Sequence, residues 1–322
     1  MSRAEIEIAI VGAGPAGLSA ALYAARYLRR TLVLHDDTPR AARIPCTRNV
    51  PGFERGITGP RLVARMTRHA KRYGARLTQA RIERIERQPG GSFALVADHG
   101  RSWKARSVIL ATGIEHNHIP MDADCHEEAS RRGVLRYCPV CDGYEHRGQR
   151  IAVVGCDTSG AKESLFLREF TDDLTLLTHQ QAELAGDERR QLEAVGVRIV
   201  TEPVAGYALD GRGMRVRVEG RADPLEFDVV YPALGSRPRS ALAKSLGIAV
   251  KEGGEVTADA PAGTSVPGVY CAGDVVEGLD QISVAMGQGA LAATRAHNWL
   301  LKGDAHLFCA AGKASRKHWQ KR

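Results

Sequence analysis

The sequence predicts an α/β protein with two Rossmann-like, three-layer (ββα) nucleotide-binding domains, the second inserted in the first. Three observations carry that prediction. An apolar run, residues 5–11, leads into Gly12-Ala-Gly-Pro-Ala-Gly17 and an Ala/Leu-rich stretch. A second apolar run, Arg150-Ile-Ala-Val-Val-Gly155, opens the same pattern again. Two later apolar segments end alike in glycine, Ser107–Gly113 and Asp228–Gly235, one for each cycle.

The elements follow from periodicity and turn chemistry. Residues 5–11 read as a buried strand, the stretch to about Arg30 as a helix and Thr31–Leu34 as the second strand, a βαβ start. Residues 61–73 read as a helix. In the second cycle, 158–169 reads as a helix and Leu174–Thr178 as a strand. The first cycle resumes after Gly235. The expected domains are therefore 1–116 with 238–301, and an inserted 117–237, with Ile114–Pro120 and Ser236–Pro238 as hinges. Residues 302–322 form a basic tail.

A chain of 322 residues is long enough for two ordinary domains. Its 43% hydrophobic and 25% charged content is that of a soluble globular protein. No apolar run approaches the ~18 residues of a membrane span. Acidic residues interrupt the first apolar stretch, which does not read as a signal peptide. The cysteines, at 46, 125, 138, 141, 156, 271 and 309, form no disulfide framework. A reducing cytoplasm is the expected compartment, and there a close pair reads as catalytic or metal-binding.

The first glycine motif has the spacing of a dinucleotide cradle: a tight turn, backbone approach to a pyrophosphate, and close helix–strand packing. The helix start offers free N–H groups to phosphate. An acid about 20 positions on binds a ribose in such units. Asp36 and Asp37 stand at that distance from Gly17, with His35 in the slot before them. Gly268-Val-Tyr-Cys-Ala-Gly-Asp274 is a strand ending in Gly-Asp, whose carboxylate can bind a sugar or sugar alcohol or simply cap a turn. Residues 282–300 then read as a helix.

Tyr137-Cys138-Pro-Val-Cys141-Asp142-Gly143 is the sharpest feature. Two thiols three residues apart can close a small disulfide, and a helix start lowers a thiol pKa. Exchange through a mixed disulfide needs one exposed and one resolving sulfur. Asp142 could supply or accept the proton. Half a zinc site is the competing reading, and it lacks a second cysteine pair.

Together these residues resemble the low-molecular-weight thioredoxin reductases over roughly residues 5–301. The shared marks are Gly12–Gly17, Asn49-Val-Pro-Gly-Phe, Ala111-Thr-Gly113, Cys138-Pro-Val-Cys-Asp-Gly143, Ala272-Gly-Asp274 and Gln281. The resemblance implies a homodimeric FAD enzyme with a redox-active disulfide. It implies a pyrophosphate at Gly12, Gly14, Pro15, Ala16 and Gly17, and a ribose at Asp36. The adenine would lie near the backbone of Ile82. Asn49, Thr112, Gly113, Gly273, Asp274, Gln281 and Ile282 would line the ribitol and flavin. By the same resemblance Cys141 faces the flavin, Cys138 attacks the substrate disulfide, and Asp142 is the acid. The inserted domain of that family rotates between flavin and substrate. No metal is expected.

Two motifs depart from the family. Where it reads Gly-x-Gly-x-x-Ala/Gly, this chain has Gly155-Cys-Asp157-Thr-Ser-Gly160. Asp157 crowds and repels a pyrophosphate. Where the family grips the NADPH 2′-phosphate with His-Arg-Arg, this chain has His179-Gln180-Gln181, and glutamine supplies no charge. The two losses predict that NADPH is a poor reductant or none. Ferredoxin or another acidic donor becomes the alternative, with a thioredoxin-like protein as favoured substrate. A dithiol oxidase taking a small-molecule dithiol to oxygen is a second reading, and an NAD(P)H-dependent thioredoxin reductase a third. Asp142 resembles the reductases, whereas Tyr144-Glu145 resembles the oxidases. The loop between Asp37 and Asn49 is shorter than the family's and contains Cys46.

The formal charge is +8. Residues 302–322 hold six Lys/Arg and one Asp, so the tail accounts for most of it. The tail could steer an acidic protein partner. A redox-dead flavoprotein binding nucleic acid through the tail is the non-enzyme alternative, and the intact cysteine pair argues against it. Phe308, His318 or Trp319 could fold over the flavin ring.

Overall fold

A computed structural model describes residues 6–36, 39–178, 184–258 and 262–310. In chain order the elements are β1 (Ile6–Val11), α1 (Pro15–Arg26), β2 (Thr31–His35), α2 (Gly59–Arg72), β3 (Arg76–Gln79), β4 (Ile82–Arg87), β5 (Phe93–Ala97), β6 (Ser102–Leu110) and β7 (Ile114–His116). They continue with α3 (Ala123–Arg132), α4 (Pro139–Asp142), β8 (Ile151–Val154), α5 (Thr158–Leu167), β9 (Leu174–Leu177), α6 (Gly186–Ala194) and β10 (Arg198–Val200). The last are β11 (Val204–Leu209), β12 (Met214–Val218), β13 (Leu225–Phe227), β14 (Val229–Pro232), β15 (Ser236–Pro238), α7 (Ala241–Ser245), β16 (Val269–Cys271) and α8 (Ile282–Ala310). The chain divides into two compact units. One comprises residues up to 41, 62–114 and from 238 on; the other comprises 42–61 and 115–237. The links between them pair as the short strands β7 and β15.

The first unit holds a seven-stranded sheet in the order β3-β2-β1-β6-β5-β4, with β16 also on β6. β1 is parallel to β2 and β6, and the β4-β5-β6 meander is antiparallel. β1 is buried on both faces: Ala9 and Val11 join one core, Ile8 and Ile10 the other. That burial is why its sequence, apart from Glu7 at the paired end, is apolar at successive positions rather than alternating. On one side α1 lies against α8 through small residues, Ala20, Ala21 and Ala24 against Ala292, Ala293 and Ala296. α1 stops at Arg26, short of the expected Arg30, because Leu28 takes a left-handed φ of 62° that no helix continues through.

The second unit repeats the scheme. A parallel sheet runs β10-β9-β8-β14, beside an antiparallel β11-β12-β13 ribbon. Strands β9-β8-β14 match β2-β1-β6 of the first unit, so the duplication read in the sequence is a duplication of topology.

The end of the chain differs from the expected tail beginning at residue 302. α8 continues to Ala310. Asp304 accepts hydrogen bonds from Arg29 at 3.0 Å and pairs with Arg106 at 2.7 Å. Arg29, itself buried, also donates to Glu7 at 2.7 Å. Burial works the other way, yet the hydrogen bonds from Arg29 and Arg106 hold the Asp304 carboxyl below the usual carboxylate range. The side chain of Phe308, together with His318 and Trp319, lies outside the described residues. The charge is also less confined to the tail than its sum suggests. Residues 55–82 carry eight Lys/Arg and no Asp or Glu. Arg65, Arg68 and Arg72 lie on the exposed side of α2, opposite the buried Leu62 and Ala70. No helix among the described residues is long and apolar enough to cross a membrane.

Candidate active site

The glycine cradle of the first unit is built as its spacing requires. A Cβ on Gly17 would stand 2.0 Å from the Gly12 carbonyl oxygen, so the turn and the helix can close only on glycine. A Cβ on Gly14 would meet no protein atom within 4 Å. That position is open space at the N-cap of α1. No side chain caps this helix, its first turn holds no acid, and Pro15 leads it. The uncapped amides and the open side of Gly14 leave donors and room of the kind a pyrophosphate needs. At the end of β2 the buried His35 Nδ1 has no hydrogen-bond partner among the described residues, beside Asp36. The Ala80 amide donates to the His35 carbonyl at 2.7 Å, which brings the chain leading to Ile82 alongside. The donor set thus fits an adenosine with its pyrophosphate.

Further along the same unit, the Gly273 amide donates to Gln288 Oε1 at 2.7 Å. Asp274 is ion-paired with Arg40. Burial and the charge of Asp274 push the nearby Asp280 carboxyl up to about 6. Gln281 and Ile282 start α8, the Gln281 carbonyl accepting the Ala285 amide at 2.9 Å. Thr112 Oγ1 donates to the Arg239 carbonyl at 2.7 Å, and the Gly113 carbonyl accepts the Arg239 amide. Asn49 belongs to the other unit, where its side-chain oxygen accepts from Thr47 at 2.9 Å.

The equivalent turn of the second unit is closed by its own carboxylate. Asp157 is the N-cap of α5 and accepts the Ser159 amide at 2.9 Å and the Gly160 amide at 3.3 Å. Glu163 follows on the same helix, its Oε2 buried without a hydrogen-bond partner among the described residues. Burial, with the charge of Asp157, pushes its carboxyl up to about 7. The close strand–helix approach survives, since a Cβ on Gly160 would lie 3.1 Å from the Gly155 carbonyl carbon. The packing glycines are kept and the phosphate seat is occupied. His179-Gln180-Gln181 lies outside the described residues.

Cys138 and Cys141 are joined by a disulfide, with S–S 2.06 Å and Cα atoms 5.3 Å apart. The turn that carries them is short: the Cys141 amide donates to the Cys138 carbonyl at 2.9 Å. Val140 and Tyr144 beside it are exposed. On the N-terminal side, Tyr137 stacks on His116, and its hydroxyl meets His126 Nε2 at 2.5 Å. Burial, with His118 and Arg43 nearby, lowers His126 to about 4. On the C-terminal side, Asp142 is buried. One of its oxygens is ion-paired with Arg136, and the other accepts the Tyr231 hydroxyl at 2.7 Å. Burial and Asp142 push the Tyr231 phenol far up, so it remains a donor.

The fold therefore gathers the expected nucleotide residues of the first unit, Asn49 apart. It gathers Cys138, Cys141 and Asp142 in the second. The sequence places His35 in the slot before the acids, and the structure leaves its Nδ1 buried without a hydrogen-bond partner among the described residues; sequence reasoning missed Arg136 and Tyr231 as partners of Asp142. Arg136 stands six residues before Asp142, but nothing in that spacing marks an ion pair. Tyr231 is 89 residues away.

An uncapped dinucleotide cradle and a short-loop disulfide define the class: a dithiol–disulfide oxidoreductase on duplicated nucleotide folds. The family model described as pyridine nucleotide-disulphide oxidoreductase matches residues 6–289. A thioredoxin reductase of Listeria monocytogenes is 33% identical over 95% of this chain and 98% of its own length. A bifunctional thioredoxin reductase/thioredoxin of Mycobacterium leprae is 34% identical over 91% of this chain, which spans 66% of that longer protein. The solved thioredoxin reductase of Streptococcus pyogenes superposes with a TM-score of 0.85 at 26% identity, over 94% of this chain and all of that one. The chain belongs to the low-molecular-weight thioredoxin reductase family and is a flavin-dependent oxidoreductase acting on sulfur groups.

Proposed function

We propose that this enzyme exchanges electrons between FAD and a substrate disulfide through Cys138 and Cys141, and that its electron donor is not a pyridine dinucleotide. The observation that carries the donor reading is the Asp157 cap on α5. A pyrophosphate at that turn would have to displace the carboxylate from its two amides and sit against a like charge. At ~4 Å and an effective dielectric of about 20, one such charge pair costs about 4 kcal/mol. The amide hydrogen bonds that the pyrophosphate would gain only replace those that the carboxylate gives up, so they do not offset the repulsion.

Gly12, Gly14, Pro15, Ala16 and Gly17 would hold the FAD pyrophosphate, with His35 and Asp36 at the ribose and the backbone of Ile82 near the adenine. Asn49, Thr112, Gly113, Gly273, Asp274, Gln281 and Ile282 would serve the ribitol and flavin. When bound, the flavin supplies reversible two-electron transfer. Cys138, as thiolate, attacks one sulfur of the substrate disulfide, and the departing sulfur takes a proton. Cys141, as thiolate, then attacks Cys138 Sγ. The second substrate thiol is released and the Cys138–Cys141 bond re-forms. Val140 and Tyr144 flank the pair on its exposed side. A thioredoxin-like protein is the favoured substrate, since the relatives include thioredoxin reductases and one fused to a thioredoxin.

The test is anaerobic mixing of the yellow holoenzyme with NADPH, NADH, dithiothreitol and reduced ferredoxin in turn. Bleaching by ferredoxin or dithiol and none by either nucleotide supports the proposal. Catalytic bleaching by NADPH overturns the donor reading. Dithiol bleaching followed by rapid reoxidation in air moves the assignment to a dithiol oxidase.

A further inference from the structure

Between Asp37 and Asn49 the chain takes a 3-10 turn that opens at Arg40. The Arg40 guanidinium pairs with Asp274 Oδ2, 234 residues away in sequence. That contact leaves Oδ1 to a sugar-alcohol hydroxyl. A Cβ on Gly273 would stand 2.8 Å from the Ala16 Cβ, so the Gly273–Asp274 turn is packed on the first turn of α1. Arg40 is thereby held beside the glycine cradle.

A second carboxyl, Asp280, stands at the approach to α8, and its surroundings are largely anionic. Asp274 and Glu255 act on it as like charges, and Arg40 as the opposing one. Glu277, between Asp274 and Asp280 in sequence, is paired with Lys251. The side chains of Arg40 and Asp274 are 36% and 17% exposed, so solvent and salt screen this cluster only in part.

Two carboxylates beside a flavin make it harder to reduce. At pH 8 reduction of a bound flavin takes up two electrons and one proton, so the ring gains one negative charge. Nearby anions oppose that charge and a nearby cation favours it. Arg40 cancels one of the two carboxylate charges.

We propose that Arg40 is a positioning residue of the flavin site. Paired with Asp274 and facing Asp280, it offsets the anionic edge ahead of α8 and raises the reduction potential of the bound flavin. This rests on the reading that Gly273, Asp274, Gln281 and Ile282 serve the ribitol and flavin. Asp280 is the opposing charge, and its removal acts in reverse.

The test measures the flavin midpoint potential of the holoenzyme at pH 8, by equilibration with xanthine, xanthine oxidase and a reference dye. R40M should lower it by about 30 mV, a tenfold change in the equilibrium of a two-electron couple. R40K, which keeps the charge, should stay near the parent. D280N should raise the potential by a similar amount, and R40M/D280N should return close to the parental value. Burial and the charge of Asp274 lift Asp280 to about 6, so at pH 5 it holds a proton in the parent too. D280N should therefore match the parent at pH 5. Opposite signs from the two substitutions at pH 8 mark an effect of charge, which a purely structural role for Arg40 would not produce. Parental potentials in both R40M and D280N at pH 8, or shifts of the same sign, overturn the proposal. If R40M does not retain flavin, the rise in D280N at pH 8 and its absence at pH 5 decide. A yellow protein whose potential ignores both substitutions sinks this proposal alone. A parent that binds no flavin sinks the underlying reading and the proposal together.

Discussion

The Asp157 carboxylate accepts the Ser159 amide at 2.9 Å and seals the start of α5. At the matching place in α1 stands Gly14, with no side-chain cap and no protein atom within 4 Å of where its Cβ would be. Two copies of one topology thus end in opposite electrostatics, an open cradle for an anion and one filled by the chain's own anion. Replacing Asp157 by Gly should lower stability by only a few tenths of a kcal/mol, since glycine is itself a tolerable N-cap. It should raise the anaerobic rate of flavin bleaching by NADPH or NADH at least tenfold, measured at fixed nucleotide concentration by stopped flow. An unchanged rate would mean that Asp157 is not the barrier.

Gly14 and Gly17 should separate binding from folding. Gly14→Ala adds a methyl to open space, so the apoprotein should stay within about 1 kcal/mol of the parent while losing flavin affinity. Gly17→Ala forces a carbon to 2.0 Å from a carbonyl oxygen, and strain of that kind costs roughly 1–3 kcal/mol or more. Urea denaturation of the apoproteins and flavin titration of each variant distinguish the two. Equal destabilisation by both would contradict the geometry.

Glu163 makes stability depend on pH. Its folded-state carboxyl titrates at about 7 and its ordinary value is 4.5, so the native state binds the proton more tightly. Stability should therefore fall as pH rises from about 4.5 to about 7 and then level off. The full effect is on the order of 3 kcal/mol, at 1.36 kcal/mol per unit. Glu163→Gln should match the parent near pH 4.5 and exceed it at pH 8. Chemical denaturation at the two pH values gives the answer, and a parallel pH dependence in the two proteins would refute it.

The end of α8 is a structural element, whatever follows it. A chain truncated after Ala310 should keep its stability. One truncated after Lys302 loses Asp304, leaves the buried Arg29 with fewer partners, and should unfold about 1–3 kcal/mol more easily. Thermal melts of the two truncations compare them directly. The flavin spectrum of the longer truncated form tests His318 and Trp319 as the aromatic lid without this complication, Phe308 being retained.

Cys138→Ser should abolish reduction of a substrate disulfide while the protein remains yellow, because the cradle at Gly12–Gly17 belongs to the other unit. Residual turnover near the parental rate would remove Cys138 from the exchange.

Much of this protein was legible along the chain. The run at residues 6–11, the glycine spacing at 12–17 and its echo at 155–160 are local patterns. They reflect φ/ψ demands and periodicity that a strand or turn imposes on its own residues. The Cys138–Cys141 disulfide is equally local, because three residues of chain already bring the sulfurs within reach. Even the defect at Asp157 was visible as a charge in the wrong place. Only the fold showed that this carboxylate caps the helix. Only the fold, too, brought Tyr231 to Asp142 across 89 residues and Asp304 to Arg29 across 275. The physical reason is one of range. Backbone conformation and short turns are decided by neighbours in sequence. Compensation of a buried charge is decided by which distant donors the packed core carries to it.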